Sequence, residues 1–103
     1  MPHVTTFRFK ALPGKRDDVI SLIEKWANEE QSHAPGMQEY SLLISNEDPD
    51  ECMAYVCFDT TENYKKNSDR PAQDAWYKQL RALLKDDPDW FNGTIAIAID
   101  TTD

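Results

Sequence analysis

Hydrophobic and polar residues follow two different periods along the chain, and turn residues separate the segments. Residues 3–10 alternate with a period of two, as a strand with one buried face does. Residues 17–29 instead repeat an apolar residue every three to four positions, which is the helical period. Pro13-Gly14 and Pro35-Gly36 stand after these two segments. Since proline and glycine mark turns, we predict a strand, a helix and a turn into a second strand.

Two strands follow in the middle of the chain. Met37–Ser45 contains an apolar run, and Cys52–Phe58 has almost no polar member. The polar segment 46–50, which contains proline, predicts the turn that joins them. A strand that is apolar on both faces is usually buried on both sides.

The last third predicts a helix with a break and a final strand. Thr60 and Thr61 are suited to cap a short helix that ends near Asn67. Arg70-Pro71 interrupts the helix, which then resumes with an apolar face. Residues 94–99 alternate isoleucine with threonine or alanine, so we expect the last strand there, with Asn92-Gly93 leading into it.

The resulting order is βαββαβ, and it predicts an α+β, ferredoxin-like fold in one domain spanning residues 1–103. The fold has a four-stranded antiparallel sheet with two helices on one face. Two helices cover only one face, yet the third strand is apolar on both. A second copy is the simplest cover, because a two-fold interface is self-complementary. We therefore expect a homodimer through the sheet faces; the alternative is a monomer with a partly apolar sheet.

Composition narrows the class of partner. The chain has 103 residues and a formal net charge of -8, which disfavours nucleic acid and anionic membranes as partners. No signal peptide and no membrane-spanning apolar run is recognisable, so we expect a cytoplasmic protein. Cys52 and Cys57 lie on opposite faces of one strand, about 16 Å apart, too far for a disulfide. Two cysteines and two distant histidines give no metal-site spacing, so we expect no metal.

Four stretches resemble the antibiotic biosynthesis monooxygenase family over nearly the whole chain. The stretches are Arg8–Lys15, Ala34–Met37 with Tyr40, Ala54–Asp59 and Arg70-Pro71. The resemblance implies a dimeric α/β barrel with a small-molecule pocket between helices and sheet in each subunit. It also implies oxygenation of quinols or anthrones without a cofactor, a role in signalling metabolism or, in a related branch, haem degradation.

The chain departs from the family at several positions. Val56 and Phe58 stand where members often have Glu and Trp, and the histidines of many members are replaced by Asn67 and Ala72. The Asn, Trp and His of the haem-degrading branch fall near Phe7, Asn67 and Tyr77, and none is kept. The resemblance thus disfavours haem degradation.

Several aromatic residues are candidates for the wall of a ligand pocket, which for flat organic ligands is mostly apolar. They are Phe7, Phe9, Trp26, Phe58, Tyr64 and Trp76. The alternative for each is an ordinary core position, since aromatic residues dominate cores.

Asn67 and Tyr77 are the candidate catalytic pair, because both match family positions that face the pocket. An amide can hold an enolate or phenolate oxygen, and a tyrosine hydroxyl can donate to it or relay its proton. The alternative is that Asn67 ends the short helix and Tyr77 lies on a solvated helix face. Arg8 is expected in a structural ion pair, while His3 and His33 are expected in solvent.

The leading functional hypothesis is cofactor-independent monooxygenation, or a related proton transfer, on a small aromatic or enolisable molecule. No cofactor is expected, because an electron-rich anion can pass an electron to O2 directly. The alternative is a dimeric barrel that binds a metabolite without chemistry, and haem binding is a third, less favoured one.

Overall fold

The computed structural model describes residues 2–100. Its strands are His3–Lys10 (β1), Met37–Ile44 (β2), Glu51–Phe58 (β3) and Asp89–Thr94 (β4). Its helices are Arg16–Glu30 (α1), Thr61–Ser68 (α2) and Pro71–Arg81 (α3), with a 3₁₀ turn at Gln31–His33. The strands form one antiparallel sheet in the order β2-β3-β1-β4. The predicted α+β, ferredoxin-like architecture is confirmed.

Local chemistry explains where the helices begin and end. The Thr60 hydroxyl accepts a hydrogen bond from the backbone N–H of Asn63 at 3.1 Å and caps α2. Pro71 occupies the first turn of α3, where its missing N–H costs nothing. The predicted break at Arg70-Pro71 thus divides the second helical segment into two helices, α2 and α3.

Strand parity places the core on one side of the sheet. The odd residues of β1 are buried, and Phe7 lies opposite Ala54 of β3 and Trp90 of β4. The largest fully buried side chains include Phe58 of β3, Leu80 of α3 and Val19 of α1. The helices therefore cover the face that carries Phe7, and the opposite face is open in the single subunit.

The last strand is not where the sequence pattern suggested. β4 is Asp89–Thr94, so Asn92-Gly93 is part of the strand and the expected strand at residues 94–99 is wrong. In the ladder between β1 and β4, Thr94 pairs with His3, the first residue of β1. The residues after Thr94 therefore have almost no residue of β1 left to pair with. Ile95 still bonds to Pro2, but Ile97 and Ile99 are about four-fifths exposed at 82% and 80%.

Arg8 forms the expected ion pair, and Cys52 and Cys57 form no disulfide, as their spacing predicts. Arg8 pairs with Glu51 at 2.9 Å on the open face of the sheet. Cys52 and Cys57 are buried free thiols. Burial raises the pKa of both thiols, so they stay protonated at neutral pH.

Candidate functional site

A cavity of about 310 Å³ lies between the helices and the covered face of the sheet. Strands β1 to β4 and helices α1 to α3 all contribute to its wall. Of the predicted aromatic residues, those that line it are Phe7, Trp26, Phe58, Tyr64 and Trp76. Asn67 and Tyr77 line it as well, so the structure brings the candidate polar pair and most of the aromatic set together. Phe9 is buried in the core behind Phe7 and does not line this cavity.

Trp26 is the centre of one aromatic wall. Its ring centroid lies 5.5 Å from that of Tyr40 and 6.0 Å from that of Trp76. Its indole N–H donates to Oε1 of Gln73 at 3.0 Å, which ties α1 to α3. The hydrogen bond gives the polar edge of the buried indole a partner and orients the Trp26 ring.

Trp90 forms the opposite wall, and the sequence pattern did not identify it as a site residue. It lies 4.7 Å from Phe7 and 5.9 Å from Tyr77 between ring centroids. The pattern places it ahead of the last strand, whereas it belongs to β4 and faces the helices beside Phe7. If Asn92-Gly93 is treated as part of the strand rather than as a turn, the alternation of side chains over residues 89–94 identifies Trp90 as a site residue.

Asn67 is held in one orientation at the end of α2. Its side chain is buried at 5% exposure, and its Oδ1 accepts from Nη1 of Arg70 at 2.9 Å. Arg70 in turn pairs with Glu30 of α1. Since a guanidinium group only donates, Oδ1 must face Arg70 and the Asn67 amide nitrogen must point elsewhere. No acceptor within residues 2–100 is bonded to that nitrogen, which leaves it free to donate to a ligand.

Two further donor atoms, on residues that line the cavity, are themselves buried and have no partner in the described part of the chain. They are the hydroxyl of Tyr40 and the indole nitrogen of Trp76. Burial raises the pKa of Tyr40 above its usual value, so its hydroxyl keeps its proton. An unpaired buried donor is costly, and a native structure usually meets that cost with a ligand or water.

Tyr77 lies on α3 and is half-buried at the cavity wall. Its ring contacts that of Trp90, so Tyr77 does not lie on a fully solvated helix face. The cavity wall is otherwise mostly apolar, and its polar groups are concentrated on α2 and α3.

His3 is not solvated, contrary to expectation. It is 5% exposed, and its ring stacks on that of Tyr64 with centroids 4.3 Å apart. The expectation rested on its place near the chain end, but β3 and β4 flank it because both pair with the first residue of β1. His33 is exposed, as expected.

The described residues contain no group of three or more His, Cys, Asp or Glu side chains that could hold a metal ion. No helix among residues 2–100 is long and apolar enough to cross a membrane.

The fold and the cavity define an α+β protein with a cavity between a ferredoxin-like sheet and its helices. A family model described as antibiotic biosynthesis monooxygenase matches residues 2–79. The chain therefore belongs to the antibiotic biosynthesis monooxygenase family, as the sequence motifs suggested.

Solved structures share the fold at low sequence identity. SnoaB, a cofactor-independent oxygenase from Streptomyces nogalater, aligns with a TM-score of 0.84 at 16% identity over 95% of this chain and 96% of that chain. Rv0793 from Mycobacterium tuberculosis aligns with a TM-score of 0.77 at 16% identity over 99% and 100%. A conserved protein from Methanosarcina mazei gives 0.80 at 12% identity over 90% and 91%. A comparison with curated protein sequences found no significant match.

Proposed function

We propose that the protein is a cofactor-independent monooxygenase acting on a small aromatic or enolisable molecule. The observation that carries this proposal is the Asn67 amide nitrogen on a mostly apolar cavity wall, a donor that no acceptor in the described part of the chain meets. A donor without a protein acceptor favours a ligand that brings an oxygen atom with negative charge. A phenolate or an enolate has this chemistry. Membership of the family supports the reaction class.

The proposed reaction requires few catalytic groups from the protein. The bound phenol or enol loses a proton, and the resulting anion can transfer an electron to O2, so the substrate itself supplies the reducing electrons. The amide of Asn67 would hold the anionic oxygen, and Tyr77 would donate to it or to the oxygenated product. The aromatic walls formed around Trp26 and Trp90 would orient a flat ring and exclude water.

Oxygen consumption with simple quinols and anthrones tests this function. We expect uptake by the wild type and a loss of about a hundredfold in kcat for Asn67→Ala, because a buried oxyanion donor is removed. Tyr77→Phe should also slow uptake. Asn28→Ala, on the exposed face of α1, is the matched control and should leave it unchanged. If the wild type consumes no oxygen yet binds phenols, the protein is a non-catalytic binding barrel and the proposal fails.

Haem binding is separately testable. A Soret band on titration with haem would favour the haem-handling branch over an oxygenase of small aromatic molecules.

We also propose that two subunits pack through their open sheet faces, as the sequence suggested. Three apolar side chains on that face are exposed in the single subunit, Phe91 at 69%, Leu43 at 52% and Met53 at 37%. An exposed apolar patch of this kind is typical of an interface. The cytoplasmic location stays a prediction.

A further inference from the structure

Gln73, in the first turn of α3, lines the cavity with an amide group that the proposed chemistry does not use. Its Oε1 accepts from the indole N–H of Trp26 at 3.0 Å. Since an indole nitrogen only donates, the amide oxygen must face Trp26 and the amide nitrogen must point elsewhere. No acceptor within residues 2–100 is bonded to that nitrogen. Gln73 therefore has a free donor, as Asn67 has.

The amide nitrogens of Gln73 and Asn67 differ from the unpaired donor atoms of Tyr40 and Trp76. The latter two atoms are sealed within the protein, whereas the two amide nitrogens are not. Because both amide side chains line the cavity, a molecule bound there can reach them. The cavity wall thus offers two accessible amide donors.

Arg70 connects the two amide residues at the junction between α2 and α3. Its guanidinium group donates to Oδ1 of Asn67 at 2.9 Å, and its backbone carbonyl accepts from the backbone N–H of Gln73 at 3.0 Å. Asn67 lies in the last turn of α2, and Gln73 lies in the first turn of α3. The helix break at Arg70-Pro71 therefore supplies both donors to the same cavity.

The two amide donors differ in strength. The Asn67 oxygen accepts from a cationic guanidinium group, which polarises the amide and makes its N–H a stronger donor. The Gln73 oxygen accepts from a neutral indole. The carboxylate of the next residue, Asp74, also lines the cavity and pairs with Lys78 at 3.2 Å, and it disfavours a second negative charge near Gln73. An anionic oxygen is therefore favoured at Asn67 and a neutral oxygen at Gln73.

We propose that Gln73 is a second ligand-binding residue, and that the cavity selects aromatic molecules with a carbonyl oxygen in addition to an ionisable hydroxyl. The inference rests on the proposed function, because it takes Asn67 as the residue that holds the anionic oxygen. The Gln73 amide donates to the carbonyl oxygen, and two such contacts fix the orientation of a flat ring in a mostly apolar site. Aromatic hydroxyketones carry both groups, whereas a simple phenol carries one.

Anaerobic binding of a matched set of phenols tests the role of Gln73 without any turnover. The probes are 6-hydroxy-1-tetralone, 7-hydroxy-1-tetralone and 6-hydroxytetralin, in which a methylene group replaces the carbonyl of the two ketones. Isothermal titration calorimetry measures the ratio of the affinity for each ketone to the affinity for hydroxytetralin. The comparison of this ratio between proteins isolates the contact made by the carbonyl oxygen.

Four variants are compared with the wild type. Gln73→Met removes the amide and keeps the length of the side chain, whereas Gln73→Glu keeps an oxygen for Trp26 and loses the N–H. Gln79→Glu makes the same charge change at an exposed position of α3 that does not line this cavity. Asn67→Ala removes the other amide. Near-ultraviolet circular dichroism verifies that each variant is folded.

We expect the wild type and Gln79→Glu to bind at least one ketone about fivefold more tightly than hydroxytetralin, because one hydrogen bond is gained. In Gln73→Met and Gln73→Glu this preference should be lost. Asn67→Ala should weaken the binding of all three probes and keep the preference, because Asn67 meets the hydroxyl oxygen. A wild type without preference for either ketone, or a preference that both Gln73 variants retain, would overturn the proposal.

Failure of this proposal and failure of the oxygenase function give different results. If the preference depends on Gln73 and the wild type consumes no oxygen with quinols, anthrones or hydroxytetralones, the second binding residue stands and the oxygenase function is wrong. If the preference does not depend on Gln73 and the wild type consumes oxygen with quinols, the role of Gln73 is wrong and the function stands.

Discussion

Gly36 and Asp59 join the start of β2 to the end of β3. The backbone N–H of Asp59 donates to the carbonyl of Gly36 at 2.8 Å. Gly36 has a φ of 85°, and a Cβ added to it would overlap the Asp59 carboxylate and lie 2.7 Å from Nδ2 of Asn63. Two requirements therefore meet at this glycine, a left-handed backbone and space for a carboxylate.

We expect Gly36→Ala to destabilise the protein more than Gly14→Ala. Gly14 has a similar φ of 77°, but a Cβ added there would have nothing within 4 Å. Backbone strain alone costs about 1 kcal/mol at either site, and the overlap with Asp59 should add about 1–2 kcal/mol at Gly36. Urea unfolding of the two variants measures the difference, and adding Asp59→Ala to Gly36→Ala should recover part of it. Equal losses at the two glycines would contradict this account.

The ion pair between Arg70 and Glu30 should matter for ligand binding as well as for stability. Arg70→Met keeps the apolar stem but removes the group that orients Asn67, so the amide can turn its oxygen toward the ligand. We expect affinity for 4-nitrophenolate to fall about tenfold, or about 1.4 kcal/mol. Isothermal titration calorimetry measures it.

Lys15→Met is the control for that variant. It removes the pair with Asp18, in which both side chains are more than half exposed, at 51% and 58%. Exposed pairs contribute little, so neither affinity nor stability should change appreciably. Unchanged affinity in Arg70→Met would show that Asn67 does not need this support.

The position of Tyr40 predicts how stability changes in alkaline solution. Burial raises the pKa of Tyr40 in the folded chain above its usual value of about 10. The folded state then holds a proton that the unfolded chain releases, so the free energy of unfolding falls as pH rises above about 10. Below about pH 9 this group adds no pH dependence, because both states are protonated.

Tyr40→Phe removes this effect and the unpartnered hydroxyl together. At neutral pH we expect the variant to be at least as stable as the wild type, because a buried unpaired hydroxyl costs about 1–3 kcal/mol. The advantage of the variant should grow by up to about 1.4 kcal/mol per pH unit above about pH 10. Urea unfolding from neutral to alkaline pH measures both terms. Parallel loss of stability in the two proteins would contradict the assignment.

Local patterns predicted most of the fold, and long-range pairing decided the rest. The alternation of residues 3–10 predicted β1 with its observed bounds, and Arg70-Pro71 predicted the helix break, because both depend on neighbours in sequence. The last strand was misplaced because the isoleucine pattern at residues 94–99 is the stronger local signal. The position of β4 is instead set by its pairing with β1, and that pairing ends at His3.

The same distinction applies to the cavity. Asn67 and Tyr77 lie at its wall, where the family motif suggested a pocket. Trp90 reaches the site only through the pairing of β4 with β1, which no spacing along the chain records. The unpaired donors of Tyr40 and Trp76 are likewise a property of packing, since aromatic residues in a sequence do not reveal which hydroxyl or indole lacks an acceptor.

A charge on the open sheet face should separate the proposed dimer. Phe91 of β4 lies opposite Thr6 of β1, which lies opposite Tyr55 of β3, so one row crosses that face. Phe91→Glu would bury a carboxylate without a partner in a face-to-face dimer, at a cost of several kcal/mol. We expect the wild type to sediment as a dimer at micromolar concentration and Phe91→Glu as a monomer. Ile97→Glu, in the exposed segment after β4, should sediment as the wild type does. A monomeric wild type would contradict the proposed dimer.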